Sequence, residues 1–196
     1  MPGPLEGYKV LELTSTVSGP FASMMLADQG ADVVKVEPPG IGDLARFMGA
    51  TKSGIGAMFT VLNRNKKCIC LDFKNQEDFE VLKKLIEDTD VLIENYRPGV
   101  VKKLGIDYDS AVKLNQEIIY CSISGYGQSG PYKERKVYDP LIQATAGTAA
   151  AQSSKNPEFF KTIVFDKVTA LTAAQSITSA LLQKERIGKG QYIPIS

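Results

Sequence analysis

The chain of 196 residues contains no histidine. That absence removes a class of chemistry: no Ser/His/Asp or Cys/His nucleophile can be assembled from its own side chains, and histidine-based metal sites go with it. Catalysis is left to carboxylates, lysines, tyrosines, hydroxyls, thiols and backbone amides. Cysteine is scarce too, with Cys68, Cys70 and Cys121 only. Their number is odd, no C-x-x-C spacing joins them, and all lie in apolar, strand-like stretches, so they read as reduced core thiols with no metal to hold. Cys68 and Cys70 would share one face of a strand, because side chains alternate with period two.

An excess of either charge is also missing: 23 Lys and Arg face 22 Asp and Glu, for a net charge of +1. Interspersed charges of both signs leave no footprint for nucleic acid or an anionic membrane surface. No apolar run approaches the roughly 20 residues of a membrane span. The opening Met1-Pro2-Gly3-Pro4-Leu5-Glu6 lacks the basic region and apolar run of a signal peptide. A cytoplasmic address is expected, with neither nucleic acid nor membrane as partner.

What is present, 43% hydrophobic and 23% charged residues, suffices for one globular core. Lys9 to Leu13 reads as a strand. Ser18-Gly19-Pro20 follows as an N-cap with proline in the first turn, and a helix from Phe21 to Gln29 is stopped by Gly30. A second strand, Ala31 to Glu37, ends at Pro38-Pro39-Gly40, and a glycine-rich segment over 40–56 leads to a short helix near Met58 to Asn63. Cys68 to Asp72 reads as a third strand, and Phe79, Leu82, Leu85 and Ile86 recur at helical spacing within Glu77 to Asp88. Val91 to Glu94 and Ile118 to Ile123 are further strands, separated by short helical pieces over 100–104 and 110–114. A small-residue helix or loop over 138–151, a helix over 168–185 and a strand at Gln191 to Ile195 complete the pattern.

Strands separated by helices predict an α/β fold, a parallel sheet covered by helices on both faces. Such sheets take ligands outside the carboxyl ends of their strands. The loops after Leu13, Glu37, Asp72, Glu94 and Ser124 are therefore the places to look. Gly125-Tyr126-Gly127-Gln128-Ser129-Gly130 is a literal G-x-G-x-x-G in one of them, but its glycines run into Pro131 and the charged Lys133-Glu134-Arg135-Lys136 rather than opening a helix. No acidic residue stands near position 147, so a dinucleotide site is not expected. A flexible glycine loop over a ligand is.

Asp166 is the most informative single residue. It follows the apolar run Thr162-Ile163-Val164-Phe165 and precedes a long Ala/Ser/Thr-rich helical stretch. Helix N-terminal amides and the positive dipole end would favour its ionised form. It is either a helix cap or a nucleophile, and an ionised aspartate needs no base to activate it.

A larger pattern runs through the chain. Leu5-Glu6-Gly7 to Leu11-Glu12-Leu13 is followed by Gly19-Pro20, by Ala27 to Gly42 (ADQGADVVKVEPPGIG), by Asn65-Lys66-Lys67 and by Leu71-Asp72-Phe73-Lys74. Then come Asp90 to Gly99 (DVLIENYRPG), Ser124-Gly125-Tyr126-Gly127, Lys136-Val137-Tyr138 and Gly188-Lys189-Gly190-Gln191. In this order and spacing, the motifs resemble the N-terminal half of the class III coenzyme A transferases, the CaiB/BaiF type that includes formyl-CoA transferases. The resemblance implies a Rossmann-like CoA-binding domain over 1–196. It implies no permanently bound cofactor, with acyl-CoA and a small carboxylic acid as substrates. It also implies an interlocked homodimer in which each full-length chain adds a smaller second domain and a C-terminal return that this chain lacks.

Carried over residue by residue, the resemblance makes Asp166 the nucleophile. The carboxylate would attack an acyl-CoA thioester to give a mixed anhydride, CoA thiolate would return to form an aspartyl-CoA thioester, and an acceptor acid would take the CoA. The implied CoA contacts are Thr16 and Val17, then Leu71, Asp72, Phe73 and Lys74. To these it adds Asn95, Tyr96, Arg97 and Lys103, and finally Lys136, Val137, Tyr138 and Asp139. Read without the resemblance, Arg97 and Lys103 are ordinary solvated charges, Asn95 a turn former and Tyr96 a core edge. Related acyl-CoA racemases carry a histidine where this chain has Tyr138, which favours the transferase branch over a racemase. Formyl-CoA/oxalate enzymes carry a glutamine where Val17 stands. A CoA-binding remnant without turnover, or one piece of a split enzyme, remains the other reading.

Overall fold

The computed structural model describes residues 3–153 and 155–196. Strand β1 (Lys9–Leu13) leads to helix α1 (Ser18–Asp28), β2 (Asp32–Glu37), a 3-10 turn (Leu44–Phe47) and the small hairpin β3 (Thr51–Lys52) and β4 (Ile55–Gly56). Helix α2 (Ala57–Leu62), β5 (Lys66–Cys70), α3 (Gln76–Glu87) and β6 (Val91–Glu94) follow, then α4 (Val100–Leu104), α5 (Tyr108–Leu114) and β7 (Ile119–Ile123). The chain closes with α6 (Asp139–Thr145), α7 (Thr148–Ala151), α8 (Val164–Ile187) and β8 (Gln191–Ile195). Six strands form one parallel sheet in the order β5-β2-β1-β6-β7-β8. The alternation of strand and helix thus yields the expected α/β architecture.

Period-two alternation divides the apolar residues of the inner strands between two cores. Val10, Val91, Ile93, Ile119 and Cys121 pack under α1 and α8, where small residues such as Ala22, Ala170 and Ala173 let helix and sheet approach closely. Leu11, Leu13, Leu92 and Tyr120 point to the other side, against α3 and the region of α4 and α5. Helix α3 is capped by Asn75, whose side chain accepts from the amides of Glu77 and Asp78, and it buries Leu82 and Ile86 completely. Truncating either to alanine would cost about 3 kcal/mol in lost burial and cavity formation.

One expectation fails here. Cys68 and Cys70 are exposed and only Cys121 is buried. The reason is position: β5 is an edge strand paired on one side only, to β2. Its two cysteines share a face as expected, and both are exposed on it, while the Lys66 side chain on the same face is buried.

Candidate active site

The strand order reverses at β1, which has β2 on one side and β6 on the other. An open parallel sheet leaves a crevice at such a switch point, because neighbouring loops depart in opposite directions. A cavity of about 630 Å³ opens there, within the usual range for a small-molecule or cofactor site. Ser15 to Ser18 line it from the loop after β1, Asn95 to Pro98 from the loop after β6, and Ser124 and Gly125 from the loop after β7. Lys133, the segment from Arg135 to Asp139, and the head of α8 with Phe165 and Asp166 add further wall.

Asp166 is not the cap of its helix. Helix α8 begins two residues before it, and the N-cap is Ile163, whose side chain makes no cap bond. The capping carboxylate comes from Asp139, the first residue of α6. Its Oδ2 accepts from the amides of Phe165 at 2.6 Å and Asp166 at 3.0 Å. Asp139 is 5% exposed, and its other oxygen accepts the side-chain amide of Gln143, one turn further along α6. Gln143 also accepts from the Phe160 amide at 2.7 Å and reaches the Thr162 carbonyl at 3.2 Å, so it ties down the approach to α8. With the helix amides satisfied from outside, the half-buried Asp166 side chain is left free to line the cavity.

The expected preference for the ionised form is overturned. Burial, reinforced by the negative charge of Asp139 and opposed by a hydrogen bond from Ser18, raises the Asp166 carboxyl from 3.8 to about 6. The cause is that desolvation of a carboxylate and a like charge nearby both disfavour ionisation. The group stays largely ionised at pH 7 and is more basic than an ordinary aspartate.

The opposite wall is anchored by a buried charge cluster. Glu12 on β1 binds Lys35 of β2 at 2.7 Å through Oε1 and Lys66 of β5 at 2.8 Å through Oε2, with all three side chains fully buried. The Ser23 hydroxyl donates to Oε2 at 2.6 Å and that of Thr14 to Oε1 at 2.8 Å. Burial alone would push Glu12 up, but the two lysines outweigh it and hold the carboxyl down at about 2. Burial lowers Lys66 to about 8 against the pull of Glu12, whereas Lys35, which faces two carboxylates, is raised despite its burial. The second of those carboxylates is Asp43, whose Oδ2 lies 2.8 Å from the Lys35 ammonium. Alongside, Arg46 grips Glu37 with two hydrogen bonds of 2.7 and 2.6 Å.

Of the residues expected at the site, Thr16, Val17, Asn95, Tyr96, Arg97, Lys136, Val137, Tyr138, Asp139 and Asp166 are brought to this one cavity. Leu71, Asp72, Phe73, Lys74 and Lys103 do not line it. Leu71 and Phe73 belong to the core beside α3, Asp72 and Lys74 form the turn into that helix, and Lys103 projects from α4 into solvent. Asp139 is spent on helix amides and Gln143 rather than standing open to a ligand.

Several cavity residues were not singled out in the sequence. Ser18 is not the cap of α1, which is Val17, but its first residue, and it stands next to Asp166. Lys133 and Arg135 belong to a run that looked merely charged. Arg135 lies 3.9 Å over the Tyr132 ring, which meets Tyr126 edge-on. Gly125 has a visible requirement: a Cβ there would stand 2.1 Å from Val137 Cγ1, so only glycine lets the loop after β7 lie against the segment before α6. The glycine run enters turns, with no helix following it directly. Among the described residues no cluster of His, Cys, Asp and Glu could hold a metal ion, and no helix is long and apolar enough to cross a membrane.

The site thus combines an open parallel α/β sheet, a switch-point cavity with basic residues around its mouth, and an aspartate of raised basicity at a helix head. A family model described as CoA-transferase family III matches residues 5–196, and the chain belongs to that family. A human protein named succinyl-CoA:glutarate CoA-transferase is 39% identical over 193 residues, which cover 97% of this chain and 44% of the human one. A formyl-CoA:oxalate CoA-transferase of a Bradyrhizobium strain is 39% identical over 192 residues, covering 96% of this chain and 45% of the relative. The crystal structure of a CAIB/BAIF family protein from Brucella suis superposes with a TM-score of 0.94 at 38% identity, covering all of this chain and 53% of the other. The chain spans about half the length of the curated relatives it matches.

Proposed function

We propose that this chain carries the nucleophilic half of a CoA-transferase, with Asp166 as the group that becomes acylated and then bears CoA. The observation that carries this reading is the treatment of Asp166. Its helix amides are capped from outside by Asp139, its carboxyl is raised to about 6, and it lines the cavity beside Ser18. A carboxylate more basic than usual yet still ionised at pH 7 suits nucleophilic attack.

In the first step an Asp166 oxygen attacks the thioester carbonyl of an acyl-CoA, the C–S bond breaks, and CoA leaves as thiolate while a mixed anhydride forms. The thiolate then attacks the aspartyl carbonyl, releasing the donor carboxylate and leaving an aspartyl-CoA thioester. An acceptor carboxylate displaces the thiolate to form a second anhydride, and attack of the thiolate on the acceptor's carbonyl returns Asp166 as a free carboxylate. Atoms and charge balance with no external base, as a chain without histidine requires. Arg97, Lys133, Arg135 and Lys136 are the cations placed to meet the CoA phosphates. Thr16, Val17, Tyr96, Val137 and Tyr138 contribute the rest of the contact, and CoA is substrate rather than resident cofactor.

Intact-protein mass spectrometry after incubation with acetyl-, succinyl- and formyl-CoA tests the reading. A covalent acyl or CoA adduct on the parent, absent from Asp166→Ala, is expected, with any turnover falling at least about 10³-fold. CoA binding without an adduct at any pH from 6 to 9 would leave a binding domain and sink the transferase reading for this chain.

A further inference from the structure

The loop between β1 and α1 supplies Thr16, Val17 and Ser18 to the cavity, and its backbone departs from what its own residues prefer. Thr16 has φ +74, the left-handed region, where a β-branched residue is an outlier. Such a conformation persists only where the surroundings over-determine it. Here the surroundings are explicit. The Thr14 carbonyl accepts from the buried Lys35 ammonium at 2.8 Å. The side-chain amide of Asn95 holds both backbone groups of Ser15, accepting from its N–H at 3.0 Å and donating to its carbonyl at 2.9 Å. The Thr16 amide donates to Asp43 Oδ1 at 3.0 Å. Three successive residues are gripped by three side chains from three different parts of the chain.

Asp43 is itself fixed. It is 2% exposed, its Oδ1 also accepts from the Ala45 amide at 2.9 Å, and its Oδ2 pairs with Lys35. Neither Asp43 nor Lys35 lines the cavity. With Glu12 and Lys66 they form a quartet of two acids and two bases behind the loop.

We propose that Asp43, backed by Lys35, and Asn95 are positioning residues that impose the left-handed turn at Thr16 and so set Ser18 against Asp166. The inference rests on the reading of Asp166 as the nucleophile. It assigns Asn95 to the loop rather than to the ligand, and it gives the buried charge cluster a task beyond holding strands together. Release of the turn lets Ser18 and the N-terminus of α1 drift from the carboxylate, so the acylation step slows while the groups that meet CoA stay in place.

The experiment compares the parent, Asn95→Ala, Asp43→Asn, and each variant combined with Thr16→Gly, since glycine adopts positive φ without strain. Acylation of Asp166 by acetyl-CoA is followed by mass, CoA affinity by calorimetry, and protection of the 14–18 amides by hydrogen exchange. The single variants are expected to acylate about 10- to 100-fold more slowly, as misplacement of a reacting group by an ångström does. CoA affinity should stay within about twofold, and the loop amides should lose protection while β1 and β6 keep theirs. Thr16→Gly should recover about tenfold of the lost rate. Asn95→Ala leaves the ion quartet intact, so it reports even if Asp43→Asn fails to fold. Weakened CoA binding with an unchanged acylation rate, or no recovery on Thr16→Gly, overturns the proposal. If the parent itself forms no adduct, the transferase reading is what has failed. Loop protection then decides the clamp alone, and protection in both variants equal to that of the parent rejects it.

Discussion

Two buried aspartates, Asp139 in the wall of the cavity and Asp43 behind the loop that lines the opposite side, do the same local work. Each accepts two backbone amides: Thr16 and Ala45 for Asp43, Phe165 and Asp166 for Asp139. They differ in what neutralises them. Asp43 has the Lys35 ammonium at 2.8 Å, whereas among the described residues Asp139 has only backbone amides and the Gln143 side chain as hydrogen-bond partners. A carboxylate paired with a cation fixes backbone without projecting charge. One without a cation fixes backbone and also raises the basicity of its neighbour, and here that neighbour is Asp166. One aspartate therefore supplies shape and the other adds basicity to its neighbour, from the same side-chain type.

The comparison can be broken most severely on the compensated side. Asp43→Asn keeps the shape and one acceptor but removes a charge from a buried quartet, leaving its lysines in excess. A loss of about 3 kcal/mol in urea unfolding is expected, because a buried pair deprived of one partner strands the other. Asp139→Asn should do the opposite kind of thing. Amide capping survives in part through the remaining carbonyl, stability changes less, and the acid limb of the acylation rate moves down by about one pH unit as Asp166 returns toward an ordinary aspartate. If the limb stays in place, Asp139 does not act on Asp166 through its charge.

The smallest effect concerns stability and pH. The folded Asp166 carboxyl at about 6 lies above its unfolded value of 3.8, so the folded state holds the proton more tightly. Its contribution is most favourable below about pH 4 and is lost as pH rises through 6. Asp166→Asn should accordingly exceed the parent in thermal stability at pH 7 by about 1 kcal/mol, a figure reduced for partial solvent exposure, and match it near pH 4. Melting curves at the two pH values check this, and a variant no more stable at pH 7 than at pH 4 relative to the parent would contradict it.

The strands and the loops at their carboxyl ends were legible because apolar runs, glycine stops and the spacing of Phe79, Leu82, Leu85 and Ile86 are local signals. The helix after Asp166 was legible too, but not its start at Val164, which takes Asp166 into the first turn, nor its cap, since Asp139 comes from 27 residues earlier and only folding brings it there. The basicity of Asp166 comes first from its burial and then from that same distant carboxylate, so reasoning from the helix end alone gave the wrong direction. Cys68 and Cys70 looked internal because their strand is apolar, and nothing in the residues says that β5 ends the sheet. Asp43 sits in a stretch of glycine and proline that invites no structural reading. Its importance is visible only once Thr16 is seen with positive φ.

The strand order has a consequence for how the molecule comes into being. Counted in the order of synthesis, β1 is laid down first, β2 and β5 extend the sheet on one flank, and β6, β7 and β8 extend it on the other. No strand ever has to wedge between two that are already paired. A chain emerging from the ribosome can thus enlarge its sheet by successive additions at open edges, without the long-range rearrangements that slow parallel sheets and expose them to aggregation. Asp139 and Asp166 follow seven of the eight strands in chain order, so the Asp166 carboxylate meets the neighbour that raises its basicity only after most of the sheet has formed.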